Sequence, residues 1–274
     1  MSLQPRYRSM RRSSSYAAPT MCVFCGTRPG TTDEHIIPRA LGGRLVLRKG
    51  TCEPCRLKLD RPLEQVLLNN DYEAARGLLM IPSQSGKYRR KIKVVTTWDR
   101  STAKIERRER HEHAGIIFMP GWKKPGVERP GSHPIADERD IGVIIKRIAA
   151  GPDDQLVIGG APIESWRLQA RLIAKMAHSY WVAENGIGIG HFVLPRFVLD
   201  PEAGGVLRFV GGAFVPKPDG SGEKPHGGGT SDLHHIVAKT VRRGGVLWGY
   251  VDISLFSPWL PVSAYRAYVC WRAL

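Results

Sequence analysis

The sequence predicts an α+β protein: an N-terminal module on a four-cysteine zinc site, then a C-terminal α+β domain with a sheet and one long helix. Three observations carry this. Two Cys-x-x-Cys pairs, Cys22/Cys25 and Cys52/Cys55, stand close in the chain. Residues 165–185 repeat apolar side chains at helical spacing. Most of the remaining C-terminal half consists of short apolar or alternating runs bounded by Gly and Pro, which read as strands.

Each Cys-x-x-Cys forms a knuckle with both sulfurs on one side, and two knuckles offer four thiolates, a set suited to tetrahedral Zn²⁺. A closed four-thiolate site keeps no open position for substrate, so this zinc is structural. Between Cys25 and Cys52 lie 26 residues, more than the roughly 15–20 of a simple ribbon. The surplus is an excursion, and it holds Glu34-His35. Neighbours on a strand point to opposite sides, so a metal-binding acid and a free imidazole can flank one ligand. Histidine is the side chain best placed to take a proton from water near neutral pH.

The chain divides as follows. Residues 1–20 carry Arg6, Arg8, Arg11 and Arg12 without an acid, and disorder is expected there. Arg11-Arg12 is not followed by the apolar segment a twin-arginine signal needs. A transit peptide fits the composition weakly, and a loose phosphate-binding arm fits as well. Residues 21–80 form the cysteine module. Arg44–Arg48 reads as a short strand and Leu63–Met80 as a helix, with Pro62 in its first turn and Gly77 ending or interrupting it. Residues 81–130 comprise a basic hairpin (87–110) and a Pro/Gly-rich connector from 120.

Within residues 131–274, Ile141–Ala150 is a short strand or helix, and Ser165–Asn185 is the clearest helix, stopped by Gly186. Phe192–Leu199, Val206–Val210, Leu233–Val237, Val246–Leu255 and Tyr265–Trp271 read as strands. Pro216–Thr230 reads as a mobile loop.

Net charge is +16 over 274 residues. Half of the excess lies in residues 81–130, with thirteen basic and five acidic side chains. A localised basic patch beside a metal module is the footprint of a phosphate backbone, so nucleic acid is the expected partner. The hairpin concentrates Lys91, Lys93, Lys104, Arg107 and Arg108. No apolar run reaches the roughly 20 residues of a membrane span, so a soluble, cytoplasmic protein is expected. Cys270, in an apolar run, reads as a buried core thiol.

Thr-Asp-Glu-His-Ile-Ile-Pro-Arg-Ala-Leu-Gly-Gly between two Cys-x-x-Cys pairs resembles the HNH endonuclease family in its zinc-stapled version, over roughly residues 21–70. The resemblance implies a ββα-metal fold and hydrolysis of phosphodiester bonds in DNA. It makes His35 the general base, and makes Glu34 a ligand of one Mg²⁺ or Mn²⁺, with Asp33 as second choice. The family's Asn beside the second Cys pair is missing: Arg56 follows Cys55. Asp60 is the nearest candidate for the last ligand and is equally a helix N-cap, with Asn69 and Asn70 as weaker candidates. Arg56 and Arg39 are candidate phosphate contacts. The departure keeps a second reading open, a nucleic-acid-binding module whose nuclease site has decayed.

Other features have bland readings. His111 and His113 are spaced like ligands on a strand, but nothing nearby completes a site. His234-His235 reads as structural. Trp98 and Trp122 read as core, with base stacking as the alternative.

Overall fold

A computed structural model of the protein describes residues 14–83, 86–99, 102–112, 115–129, 141–147, 165–188, 190–213, 233–257 and 264–274. The loop expected over Pro216–Thr230, His113 and the first thirteen residues lie outside them.

The N-terminal region is ββα-like. Strand β1 (Ser14–Tyr16) runs parallel to β3 (Leu45–Thr51), and β2 (Thr32–His35) pairs antiparallel with β3 on its other edge. The tail is therefore ordered at Ser14–Tyr16, where disorder was expected; the Tyr16 hydroxyl also donates to Glu184. Helix α1 (Glu53–Leu59) follows β3 directly, its first turn carrying Glu53 and Pro54.

The helix expected over Leu63–Met80 takes a different form. The chain leaves α1 through a π-helical turn, Asp60–Gln65, into α2 (Val66–Asn69), then breaks before α3 (Glu73–Leu78). Pro62 explains the first departure. It has no N–H to close a regular turn, and widening to a π turn accommodates the missing donor.

The hairpin is as expected: β4 (Lys91–Asp99) pairs antiparallel with β5 (Thr102–Glu109), with a bulge between Val95 and Thr97. The connector starts later than expected. Pro120–Trp122 belong to β6 (Ile116–Trp122), which pairs with β7 (Ile141–Arg147).

Helix α4 (Ser165–Asn185) has the expected bounds, and Gly186 follows it in the left-handed region at φ +82°. Phe192–Leu199 is not a strand. After the two-residue β8 (His191–Phe192), Pro195 opens helix α5 (Pro195–Leu199), its fixed φ suiting a first turn. Val206–Arg208 is likewise a 3₁₀ turn, leading into β9 (Val210–Gly212).

Strands β10 (His234–Arg243), β11 (Val246–Leu255) and β12 (Ala264–Ala273) form an antiparallel sheet in that order, with β8 and β9 both pairing with β12. Gly244 and Gly245, both at positive φ, make the two-residue turn that joins β10 to β11. Cys270 is buried in β12, as expected.

Helix α4 is the axis of the molecule. One side packs on β11 and β12; the other meets β3, the π turn and α2 of the N-terminal region. The apolar core runs through it without a break. Among the described residues no helix is long and apolar enough to cross a membrane.

Candidate functional site: a sulfur cage and a carboxylate pair

The first knuckle closes when the Gly26 N–H donates to the Cys22 carbonyl at 2.9 Å; the second sits where β3 ends, with Cys55 in the first turns of α1. The four sulfurs lie within 4.8 Å of one another, and Cys25 Sγ is 3.7 Å from Cys52 Sγ. A tetrahedron with Zn–S bonds of about 2.3 Å has edges of about 3.8 Å, so the cage fits zinc. Burial and the neighbouring sulfurs push the Cys55 thiol up; against its own burial, hydrogen bonding to Thr27 and to Cys52 pulls Cys25 down to about 6. A bound cation would hold all four as thiolates.

The excursion pins to this frame by Val23 N–H to Gly50 O (2.9 Å) and Thr31 N–H to Thr51 O (3.0 Å). Strand β2 turns Glu34 inward and leaves His35 half-buried. Gly50 makes room for Glu34: a Cβ there would stand 2.9 Å from the Glu34 Cβ. Asp33 lies at an irregularity in the pairing with β3, and its Oδ1 accepts the backbone N–H of Lys49, a residue at φ +46°. It serves the turn.

Both oxygens of Glu34 are engaged inside the protein. Oε2 accepts the Thr51 hydroxyl at 2.7 Å, and Oε1 forms an ion pair with Lys175 Nζ of α4. Lys175 Nζ also lies 2.8 Å from Glu64 Oε1 and donates to the His35 carbonyl at 2.6 Å. Burial holds the Glu34 carboxyl above its ordinary value, with Lys175 opposing only part of that rise. Burial, then Lys175 and Arg39, push His35 below its ordinary value, favouring the neutral ring. His35 Nδ1 is buried without a partner among the described residues.

Asp60 stands apart from this group. Its Oδ2 accepts from Arg56 at 3.2 Å and its Oδ1 from Gln65 at 3.0 Å, while Arg56 also holds Glu53 at 2.6 and 2.7 Å. The N-cap alternative fails, because Asp60 continues α1 in helical geometry and caps no N–H. Among the described residues, the cysteine quartet is the only convergence of three or more His, Cys, Asp or Glu able to hold a metal. Glu34, His35 and Asp60 do not form a second one.

The basic hairpin is partly engaged. Glu73, 1 % exposed, draws Arg89 (2.9 Å), Arg107 (3.0 Å) and Lys93 (3.8 Å). Lys93 also donates to Asn69 O and Asn70 Oδ1, and Arg89 to Asn69 Oδ1. Three cations on one carboxylate still leave a positive excess. Lys91 is largely exposed with Glu109 3.9 Å away, and Arg108 reaches Glu106 at 3.4 Å. The side chain of Lys104 lies outside the described residues. Trp122 is buried, as its core reading requires.

Residues 22–71 match the family model described as HNH endonuclease. This stretch is a zinc-stapled HNH module. No curated protein and no solved structure matches the chain.

Three side chains of the C-terminal half grip the HNH module by its backbone. Besides Lys175 on His35 O, His178 Nε2 lies 2.6 Å from Val23 O and His234 Nε2 lies 2.7 Å from Leu41 O. Phe256 N–H donates to His234 Nδ1, which places the His234 proton on Nε2. Sequence reasoning missed Lys175, His178 and Glu64. A signal existed: Arg171, Lys175 and His178 lie at i, i+4 and i+7, one stripe of α4, which on a half-exposed helix reads as the solvent face.

Proposed function

We propose that the protein is an endonuclease that hydrolyses phosphodiester bonds in nucleic acid, with DNA as substrate and the cytoplasm as its compartment. The observation that carries this is His35: it lies within the HNH-matched stretch, matches the family's base in the motif resemblance, and sits in surroundings that favour the neutral ring. A neutral imidazole can take the proton of a water attacking phosphorus as the P–O bond to the leaving group breaks. Arg39 and the excess charge of the hairpin, Lys91 foremost, supply phosphate contacts that make binding strongly salt-dependent.

The family implies a Mg²⁺ or Mn²⁺ ion on Glu34 and Asp60, whose chemistry would be to stabilise charge on the phosphate. The carboxylates do not fit that ion as they stand. Glu34 holds Thr51 and Lys175, and Asp60 holds Arg56 and Gln65.

That same observation favours a second reading, a module that binds nucleic acid without cutting it. Nicking of supercoiled plasmid by wild type and His35→Ala decides between the two. Hydrolysis predicts a loss of about 10²–10⁴-fold in the variant. Equal nicking by both removes His35 from the chemistry. Salt-sensitive binding by both with no nicking selects the second reading.

A further inference from the structure

We propose that Lys175 is a tethered cation, delivered by α4 to the Glu34–Glu64 carboxylates in the place where an HNH module would otherwise seat a hydrated divalent ion. Lys175 lies 140 residues beyond His35 in the chain, outside the matched stretch. Yet its side chain is 2 % exposed and its ammonium touches two carboxylates and one carbonyl of the module. The ammonium donates to the His35 carbonyl and forms ion pairs with Glu34 and Glu64. Burial alone would discharge this lysine; the two acids more than reverse that and keep it charged.

A divalent ion on Glu34 would face two obstacles. It would need an oxygen already held by Thr51 or Lys175, and it would stand against a buried like charge. Lys175 thus stands between two carboxyl groups, buried Glu34 and partly exposed Glu64. This inference rests on residues 22–71 being an HNH module, which says where the ion would sit. It does not rest on hydrolysis.

The test therefore reads binding rather than cleavage. Zinc-loaded full-length protein with labelled histidines is titrated with Mn²⁺, whose unpaired electrons erase the signals of nearby rings. His35→Gln assigns the His35 ring, and exposed His191 reports nonspecific effects. In wild type, the His35 ring should fade no faster than His191. In Lys175→Met, which keeps the length and removes the charge, Mn²⁺ should erase the His35 ring selectively. Selective erasure in wild type overturns the proposal. So does an unchanged response in a zinc-loaded Lys175→Met. Should that variant fail to hold zinc, the wild-type titration decides alone: selective loss of His35 refutes the idea and its retention supports it. Plasmid nicking, measured apart, then bears only on whether the module cuts.

Discussion

Two groups of anionic side chains in the HNH module, four cysteines and two carboxylates, have met different fates. Cys22, Cys25, Cys52 and Cys55 converge on one another at tetrahedral spacing. Glu34 and Asp60 each converge on a cation of the chain itself, Lys175 and Arg56. Thiolates are soft and poorly hydrated, and the side-chain cations of proteins are hard, so a sulfur quartet has no good internal substitute for zinc. Carboxylates accept an ammonium or a guanidinium as readily as a hard metal ion. A metal module can thus keep its sulfur frame while its carboxylates are held by side-chain cations.

The largest effect should come from the sulfur side. Cys52→Ser should abolish zinc retention, measured as metal per chain, and unfold the N-terminal region, seen as loss of near-UV dichroism. Structural zinc is worth about 10–16 kcal/mol in small zinc modules. A variant that kept its fold without metal would break the comparison, because the cage would then be ornamental.

Next is the carboxylate side. Lys175→Ala leaves Glu34 buried and unpaired, and removing one partner of a buried pair costs about 3–5 kcal/mol. Urea denaturation should show that loss, while Lys239→Ala, at an exposed pair with Asp252, should cost about 1 kcal/mol or less. Equal effects would mean that Lys175 is no more than a surface ion pair.

The smallest effect concerns the grip on the backbone. Burial lowers His178 and His234 from 6.5 to about 4. The unfolded chain therefore binds protons that the folded chain refuses. The stability is fully present above pH 6.5 and is lost as the pH falls towards 4, on the order of 3 kcal/mol for each histidine. Urea midpoints should decline across that window. His178→Gln should flatten the decline; an unchanged slope would show that other groups govern acid unfolding.

How much of this was legible in the chain depends on range. The zinc quartet, the span and stop of α4, the β4–β5 hairpin and β11 are written in local spacing, and local spacing is what a sequence displays. Phe192–Leu199 misled because apolar β-formers fill it, although Pro195 marks a helix start. Leu63–Met80 reads as a single helix because Pro62 suits a helix start, whereas in the fold it bends a helix already under way. The occupant of Glu34 lay beyond local reasoning. Lys175 looks like one lysine on an amphipathic helix until the helix is seen to be covered on both sides. The hairpin is legible as an element but not as a free surface, since buried Glu73 claims three cations of the patch.

The position of α4 has a practical consequence. The stretch that carries the family likeness ends at residue 71, but Leu47, Leu63 and Leu67, on the elements that meet α4, are shielded from water in the intact chain. Excised at that border, the piece would bare an oily flank and strand an acid, so kinship and self-sufficiency part company here. Anyone transplanting this HNH module onto another scaffold would have to carry the distant helix along with it.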